Sequence, residues 1–192
     1  MSSVNLMKLL VLLGALAAAG CGEVAGRVEG SEARVEQGAL RVRTDAQRGR
    51  LWVLGFDDVR VYDAASKRLI RQVRLPGWSA ARFICDPDLA LDASGSAVVS
   101  SNVQSRLWRV DGGSFEVKEQ VISLPERERW DIGFGALGFA ADGSLYGVTS
   151  NANSLWKIDV AQARASLVES YHAPLKACSV AARVADRTAM SR

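Results

Sequence analysis

Short runs in which apolar and polar residues alternate cover the chain from about residue 39 to residue 172. Runs such as 106–111 and 145–148 are rich in the β-branched and aromatic residues that strands prefer. Between them lie turn sequences such as Ala93-Ser94-Gly95 and Ala141-Asp142-Gly143, which suit tight hairpins. The pattern predicts an almost wholly β chain after residue 38.

The runs fall into three similar units. Asp63, Asp111 and Asp159 close the third predicted strand of each unit and are 48 residues apart. The predicted strands are 40–43, 51–54, 59–63 and 69–73, then 89–92, 97–100, 107–111 and 117–122, and then 137–139, 145–148, 155–159 and 165–168. A period near 48 with four short strands per unit is typical of a β-propeller blade. We therefore expect an all-β, propeller-like fold of about three four-stranded blades, with residues 177–184 as one strand of a partial fourth.

A resemblance follows from the order of features within one unit. Residues 96–111 combine an apolar strand, the loop Ser100-Ser101-Asn102, a second apolar strand and a closing aspartate, and 144–159 repeat that outline. This outline is similar to the repeats of NHL-type and gluconolactonase-type propellers, over roughly residues 39–172. Such families close a ring of about six blades, so the resemblance implies that a second copy in a homodimer, or another protein partner, completes the ring.

The first 20 residues read as an export signal. The apolar run from Leu9 to Gly20 has 12 residues, too short to span a bilayer, which takes about 20. Ala18-Ala19-Gly20-Cys21 resembles a bacterial lipobox, with Ala18 where Leu is usual, and this predicts lipidation of Cys21. Gly22 is not the Asp that retains many lipoproteins at the inner membrane, so we expect an outer-membrane anchor facing the periplasm. The competing interpretation is an ordinary secretory signal.

Three segments follow from this interpretation: a signal peptide (1–20), a lipid-anchored tether (21–38) and the repeat domain (39–192). The tether is small, charged and without aromatic residues, so it cannot bury enough surface to fold alone. An edge strand through Ala33 to Val35 is the alternative for this stretch.

Charge and cysteine content exclude several classes of function. The 24 basic and 21 acidic residues are scattered, so no electrostatic footprint for nucleic acid is visible. With one histidine and three widely spaced cysteines, neither CxxC nor HExxH metal motifs are present. Once Cys21 carries lipid, Cys85 and Cys178 remain in an oxidising compartment, which predicts a disulfide between them.

Loop oxygen ligands raise the question of a metal. The gluconolactonase resemblance implies that Asp92, Asn102 and Asn151, together with Asp131, could bind Ca²⁺ or Mg²⁺. Asn and Ser in short loops more often bond their own backbone, and on that reading no cofactor is expected.

The five tryptophans divide into two groups. Trp52, Trp108 and Trp156 lie on predicted strands, which favours packing between sheets. Trp78 and Trp130 fall between units, and we expect them to contact a partner from surface loops.

These features favour a lipid-anchored envelope protein that acts as a non-catalytic binding or scaffold module through its propeller loops. Two alternatives stay open: a metal-dependent lactonase or hydrolase of the propeller type, and a truncated propeller without activity. Neither composition nor motif identifies the ligand or partner.

Overall fold

The computed structural model describes residues 38–81, 85–125, 127, 129, 131–150 and 154–170. These residues form three four-stranded sheets, and no helix is found among them. In each sheet the strands lie in chain order and pair antiparallel. The described chain is therefore built of three β-propeller blades.

The strands follow the predicted positions closely. Blade one contains β1 (Arg41–Asp45), β2 (Arg50–Leu54), β3 (Asp58–Asp63) and β4 (Leu69–Arg74). Blade two contains β5 (Leu89–Leu91), β6 (Ala97–Ser100), β7 (Arg106–Val110) and β8 (Val117–Val121). Blade three contains β9 (Phe134–Phe139), β10 (Leu145–Thr149), β11 (Leu155–Asp159) and β12 (Arg164–Glu169).

The turn between the third and fourth strands has the same backbone in every blade. Lys67, Phe115 and Ala163 are each 48 residues apart, and all three have positive φ, at 56°, 62° and 53°. Positive φ is uncommon for residues other than glycine. Its recurrence at one repeat position shows that the blades share turn geometry as well as strand number.

Two apolar layers hold neighbouring blades together. Trp52 and Trp108 are buried between blades one and two, and Trp156 is buried between blades two and three. All three side chains are at most 1% exposed, which confirms their assignment to the core. The indole nitrogen of Trp108 donates to the carbonyl of Pro76 at 2.8 Å, so its polar atom is satisfied as well.

The first strands of the blades are neighbours, since β5 contacts both β1 and β9. Blade two also reaches blade three at the periphery. After β8, Ser123 forms a parallel bridge with Arg164, and the Ser123 amide donates to the carbonyl of Ala163 at 2.9 Å. Blades two and three are thus linked at both their inner and outer strands, and blades one and two are linked at their inner strands.

Several predictions fall outside the described residues. These are the signal peptide, the lipidation site Cys21, the tether and the partial fourth blade with Cys178. In the described part of the chain, no helix is long and apolar enough to cross a membrane.

Candidate functional site at the loop end of the propeller

In each blade, the second strand is connected to the third at the same end of the sheet, and we call this end the loop end. The opposite end, which carries the hairpins joining first to second and third to fourth strands, is the turn end. The loop end brings together the described residues of 55–57, 80–81, 85–88, 101–105, 131–133 and 149–150. Three of the candidate residues from the sequence, Cys85, Asn102 and Asp131, lie in these ranges.

Asn102 lies at the centre of the blade-two loop and is fully buried. Its amide nitrogen donates to the carbonyls of Ala81 and Cys85, each at 2.7 Å. Its Oδ1 atom is buried without a hydrogen-bond partner. Asn102 therefore fixes the segment that enters blade two, which is the loop-bonding role weighed above against metal binding.

Asp131 plays a similar part in blade three. Its carboxylate accepts a hydrogen bond from the hydroxyl of Thr149 at 2.6 Å, and both residues are buried. The same hydroxyl oxygen accepts from the amide of Ser154 at 3.1 Å. Together these bonds tie Thr149 at the end of β10 to Asp131 before β9 and to Ser154 before β11.

A buried aspartate joins the first strands of all three blades. One oxygen of Asp88 accepts from the Arg43 guanidinium at 2.8 Å, and the other accepts from the Leu137 amide at 2.9 Å. Arg41 Nε lies 3.4 Å from the same carboxylate. The main chain of Asp88 is paired with Ser100, whose amide donates to the Asp88 carbonyl at 2.9 Å. Sequence reasoning missed this role of Asp88; the basic pair Arg41 and Arg43, two residues apart on β1, was the available signal.

The structure does not bring the predicted metal ligands together. Asp92 lies in the turn before β6, and Asn102 lies in the loop after it, so the two are at opposite ends of blade two. The Asp92 carboxylate is already bonded to the Ser96 amide and to Arg109, at 2.9 and 3.0 Å. Asn151 lies outside the described residues. Asp92 and Asn102 therefore cannot bind the same Ca²⁺ or Mg²⁺ ion, and the described residues contain no group of three or more His, Cys, Asp or Glu side chains placed to hold a metal.

Trp78 is not a surface contact. It is 6% exposed and packs in the apolar layer between blades one and two, where its indole nitrogen donates to the Ser100 carbonyl at 3.1 Å. The expectation of an exposed loop tryptophan was wrong at this position, because the connection between β4 and β5 folds back onto the core. Trp130 lies outside the described residues.

Among the described residues of the loop end, Phe56 in the β2–β3 loop carries an exposed aromatic side chain. It is 44% exposed, and its carbonyl accepts from the Ala80 amide at 3.3 Å. Sequence reasoning missed it; an aromatic residue in the turn sequence Gly55-Phe56-Asp57-Asp58 was the available signal.

Cys85 is buried at the loop end and is in a disulfide. Its Sγ lies 3.9 Å from the carbonyl oxygen of Ser150. Since a disulfide sulfur carries no proton, this is a van der Waals contact and not a hydrogen bond. Pairing with Cys178 stays a prediction, because Cys178 lies outside the described residues.

Comparison with known proteins supports the fold and goes no further. No family model and no curated protein matches the chain. Hydrazine synthase of Kuenenia stuttgartiensis is similar over 71% of this chain and 36% of its own, with 16% identity and a TM-score of 0.52. Virginiamycin B lyase from Staphylococcus aureus is similar over 70% of this chain and 41% of its own, with 14% identity and a TM-score of 0.50.

The chain spans less than half the length of either of these structures. At such identities the likeness shows a common fold, and function has to be argued from the site. The chain belongs to the class of β-propeller repeat proteins. The expected likeness to NHL and gluconolactonase propellers holds at the level of that fold.

Proposed function

We propose that this protein is a non-catalytic binding or scaffold module that presents its loop end to another component of the cell envelope. The main support is the hydrogen bonding of Asn102, whose side-chain amide donates to the main-chain carbonyls of Ala81 and Cys85 in the neighbouring segment. Asp88 and Asp131 are likewise bonded to groups of the protein itself. These three side chains thus fix the conformation of the segments around them.

Fixed loops favour binding because little conformational entropy is lost when a partner docks. Phe56 adds an exposed aromatic ring to this surface, and aromatic residues are enriched among the side chains that dominate binding energy. We propose Phe56 as the main contact of the loop end.

A site-specific crosslink tests this proposal. A photo-reactive amino acid replaces the exposed loop residue Gln104 in the full chain, and the protein is crosslinked in intact cells. We expect a discrete crosslinked product that weakens several-fold in Phe56→Ala. Leu69→Ala is the matched control, because Leu69 is exposed to a similar extent, at 46%, but lies on the outer strand β4. Equal crosslinking in both variants, or hydrolysis of lactone or ester substrates by the purified chain, would contradict the proposal.

We also propose that the module is held at the outer membrane by lipid on Cys21. The support is the short apolar run that ends in Gly20-Cys21. Several acyl chains on one residue, at about 0.8 kcal/mol per buried CH₂, form an effectively permanent anchor. Mass spectrometry of membrane-extracted protein should show a diacylglyceryl group, and Cys21→Ala should leave the precursor unprocessed. Normal processing of that variant would refute lipidation.

A second copy of the chain is our proposed source of the blades that complete a ring. The support is that the described residues form three blades, whereas the two similar structures are longer and are matched over only 36% and 41% of their length. Native mass spectrometry from detergent micelles should show a dimer. A monomer that unfolds cooperatively would contradict this.

A further inference from the structure

A cavity of about 540 Å³ opens between blades two and three at the turn end. On the side of blade two its lining includes Val98 and the ion pair of Arg109 with Asp92, whose atoms are 3.0 Å apart. On the side of blade three its lining includes Phe139, Leu145 and Ile158. The blade-three side also carries polar groups at its edge, among them Lys157 and Asp159. The lining is therefore mixed, with an apolar part formed by Val98, Phe139, Leu145 and Ile158 and two pairs of opposite charges.

The internal repeat explains why this space is open. Val61 and Arg109 are 48 residues apart, and the residues paired with them on the second strands are Trp52 and Val98. Trp52 in blade one therefore corresponds to Val98 in blade two, and each faces the following blade. Phe115 in blade two corresponds to Ala163 in blade three, 48 residues later, and both residues have positive φ.

Between blades one and two the corresponding space is filled by aromatic rings. The rings of Trp52 and Phe115 are 6.0 Å apart, and the guanidinium of Arg50 lies 5.5 Å above the Phe115 ring. Between blades two and three both rings are replaced by small side chains. Phe139 and Leu145, which correspond to Leu91 and Ala97, recover only part of the volume.

We infer that the cavity is a binding site for a small uncharged aromatic molecule of one or two fused rings. Such a ring would occupy the space that Trp52 and Phe115 fill one blade earlier, against the side chains of Leu145 and Ile158. The Arg109 guanidinium would lie beside it as Arg50 lies over Phe115, an arrangement that attracts aromatic faces. An apolar cavity left by the loss of large side chains is known to accept aromatic ligands.

The formal charges of the lining balance, because Arg109 and Lys157 are matched by Asp92 and Asp159, and this balance favours an uncharged ring over an aromatic anion. Asp92 already neutralises Arg109, and its carboxylate is held in place by the Ser96 amide at 2.9 Å. A ligand carboxylate would meet this fixed negative charge. The site lies at the turn end, so it goes beyond the proposed partner contact at the loop end and does not depend on it.

Titration of the full chain with indole, followed by NMR of the methyl groups, tests the inference. We expect saturable shifts, and intermolecular nuclear Overhauser effects from indole protons to the methyls of Val98, Leu145 and Ile158. Val98→Trp and Ala163→Phe restore the rings of the first interface and should each abolish binding without lowering the melting temperature. Val121→Trp is the matched control, because Val121 is 63% exposed on β8, and it should bind indole as the parent chain does.

The absence of saturable shifts at millimolar indole would overturn the inference. So would unchanged binding in a folded Val98→Trp variant. If Val98→Trp does not fold, Ala163→Phe decides, since Phe115 already shows that this turn accepts phenylalanine at positive φ. If neither variant folds, the Overhauser effects in the parent chain decide, and their absence at Leu145 and Ile158 overturns the inference.

Discussion

At the scale of single residues, two adjacent glycines have different structural duties. A Cβ on Gly112 would lie 2.4 Å from the carbonyl oxygen of Gly95, and both atoms belong to turns of blade two. A Cβ on Gly113 would meet only the Asp111 carboxylate, at 3.4 Å. The side chain at 112 is therefore excluded by backbone, whereas the one at 113 has room.

This contrast yields a stability prediction. Gly112→Ala should lower the free energy of unfolding by about 1–3 kcal/mol, because backbone in two turns has to shift. Gly113→Ala should change it by less than about 0.5 kcal/mol, the usual range for surface substitutions. Urea unfolding followed by tryptophan fluorescence measures both, and equal costs would show that the two turns do not approach as closely as described.

At the scale of elements, the turn between the third and fourth strands depends on an ionised aspartate. The amides of Gly113 and Ser114 each donate to the Asp111 carboxylate at 2.8 Å. These bonds stabilise the charged form and lower the pKa of Asp111 below its ordinary value of 3.8, with the Ser114 amide as the largest cause. The pKa of Asp63 is lowered in the same way by the amide and hydroxyl of Ser66.

A pH dependence follows with a definite sign. A lowered pKa in the folded protein means that the stabilisation is present above the unfolded value and is lost as the pH falls through the lower folded value. The melting temperature should therefore fall on acidification from about pH 4 downward. Asp111→Asn should flatten this fall, as seen by circular dichroism at a series of pH values. An unchanged pH profile in the variant would show that the turn does not depend on the charge of Asp111.

At the scale of the whole molecule, Asp88 connects the three blades through one buried carboxylate. Its side chain is 6% exposed, and it accepts from Arg43 of blade one and from the Leu137 amide of blade three. Removal of the carboxylate would leave the amides of Leu137 and Leu89 without their acceptor and Arg43 without its acidic partner. Each buried donor left without an acceptor costs about 1–3 kcal/mol.

Asp88→Ala should therefore lower the free energy of unfolding by about 3–5 kcal/mol. Asp86→Ala is the control, because Asp86 is 51% exposed and its ion pair with Arg41 is long, at 3.7 Å. This substitution should cost less than about 1 kcal/mol. Differential scanning calorimetry would also show whether the three blades unfold together. A cost for Asp88→Ala no larger than that for Asp86→Ala would argue against this linking role.

Local patterns predicted the elements to within one or two residues at most ends, with the largest difference at β9. That strand begins at Phe134, three residues before the predicted start. The sequence pattern missed this start because residues 134–137 are all buried. A strand buried on both sides lacks the alternation of polar and apolar residues that reveals a strand in sequence. Residues 134–136 were therefore not predicted as part of a strand.

The sequence by itself determined the strands, the 48-residue repeat, the turns and the burial of Trp52, Trp108 and Trp156, because these features depend on residues close together in the chain. Tertiary structure alone decided that Trp78 is buried and that Asp88 meets Arg43 and Leu137. Each of these outcomes depends on how a connection folds back or on which residues of neighbouring blades come within bonding distance. The contacts of Asp88 with Arg43 and with Leu137 join residues 45 and 49 positions apart. The 48-residue periodicity does not show which side chains of neighbouring blades meet.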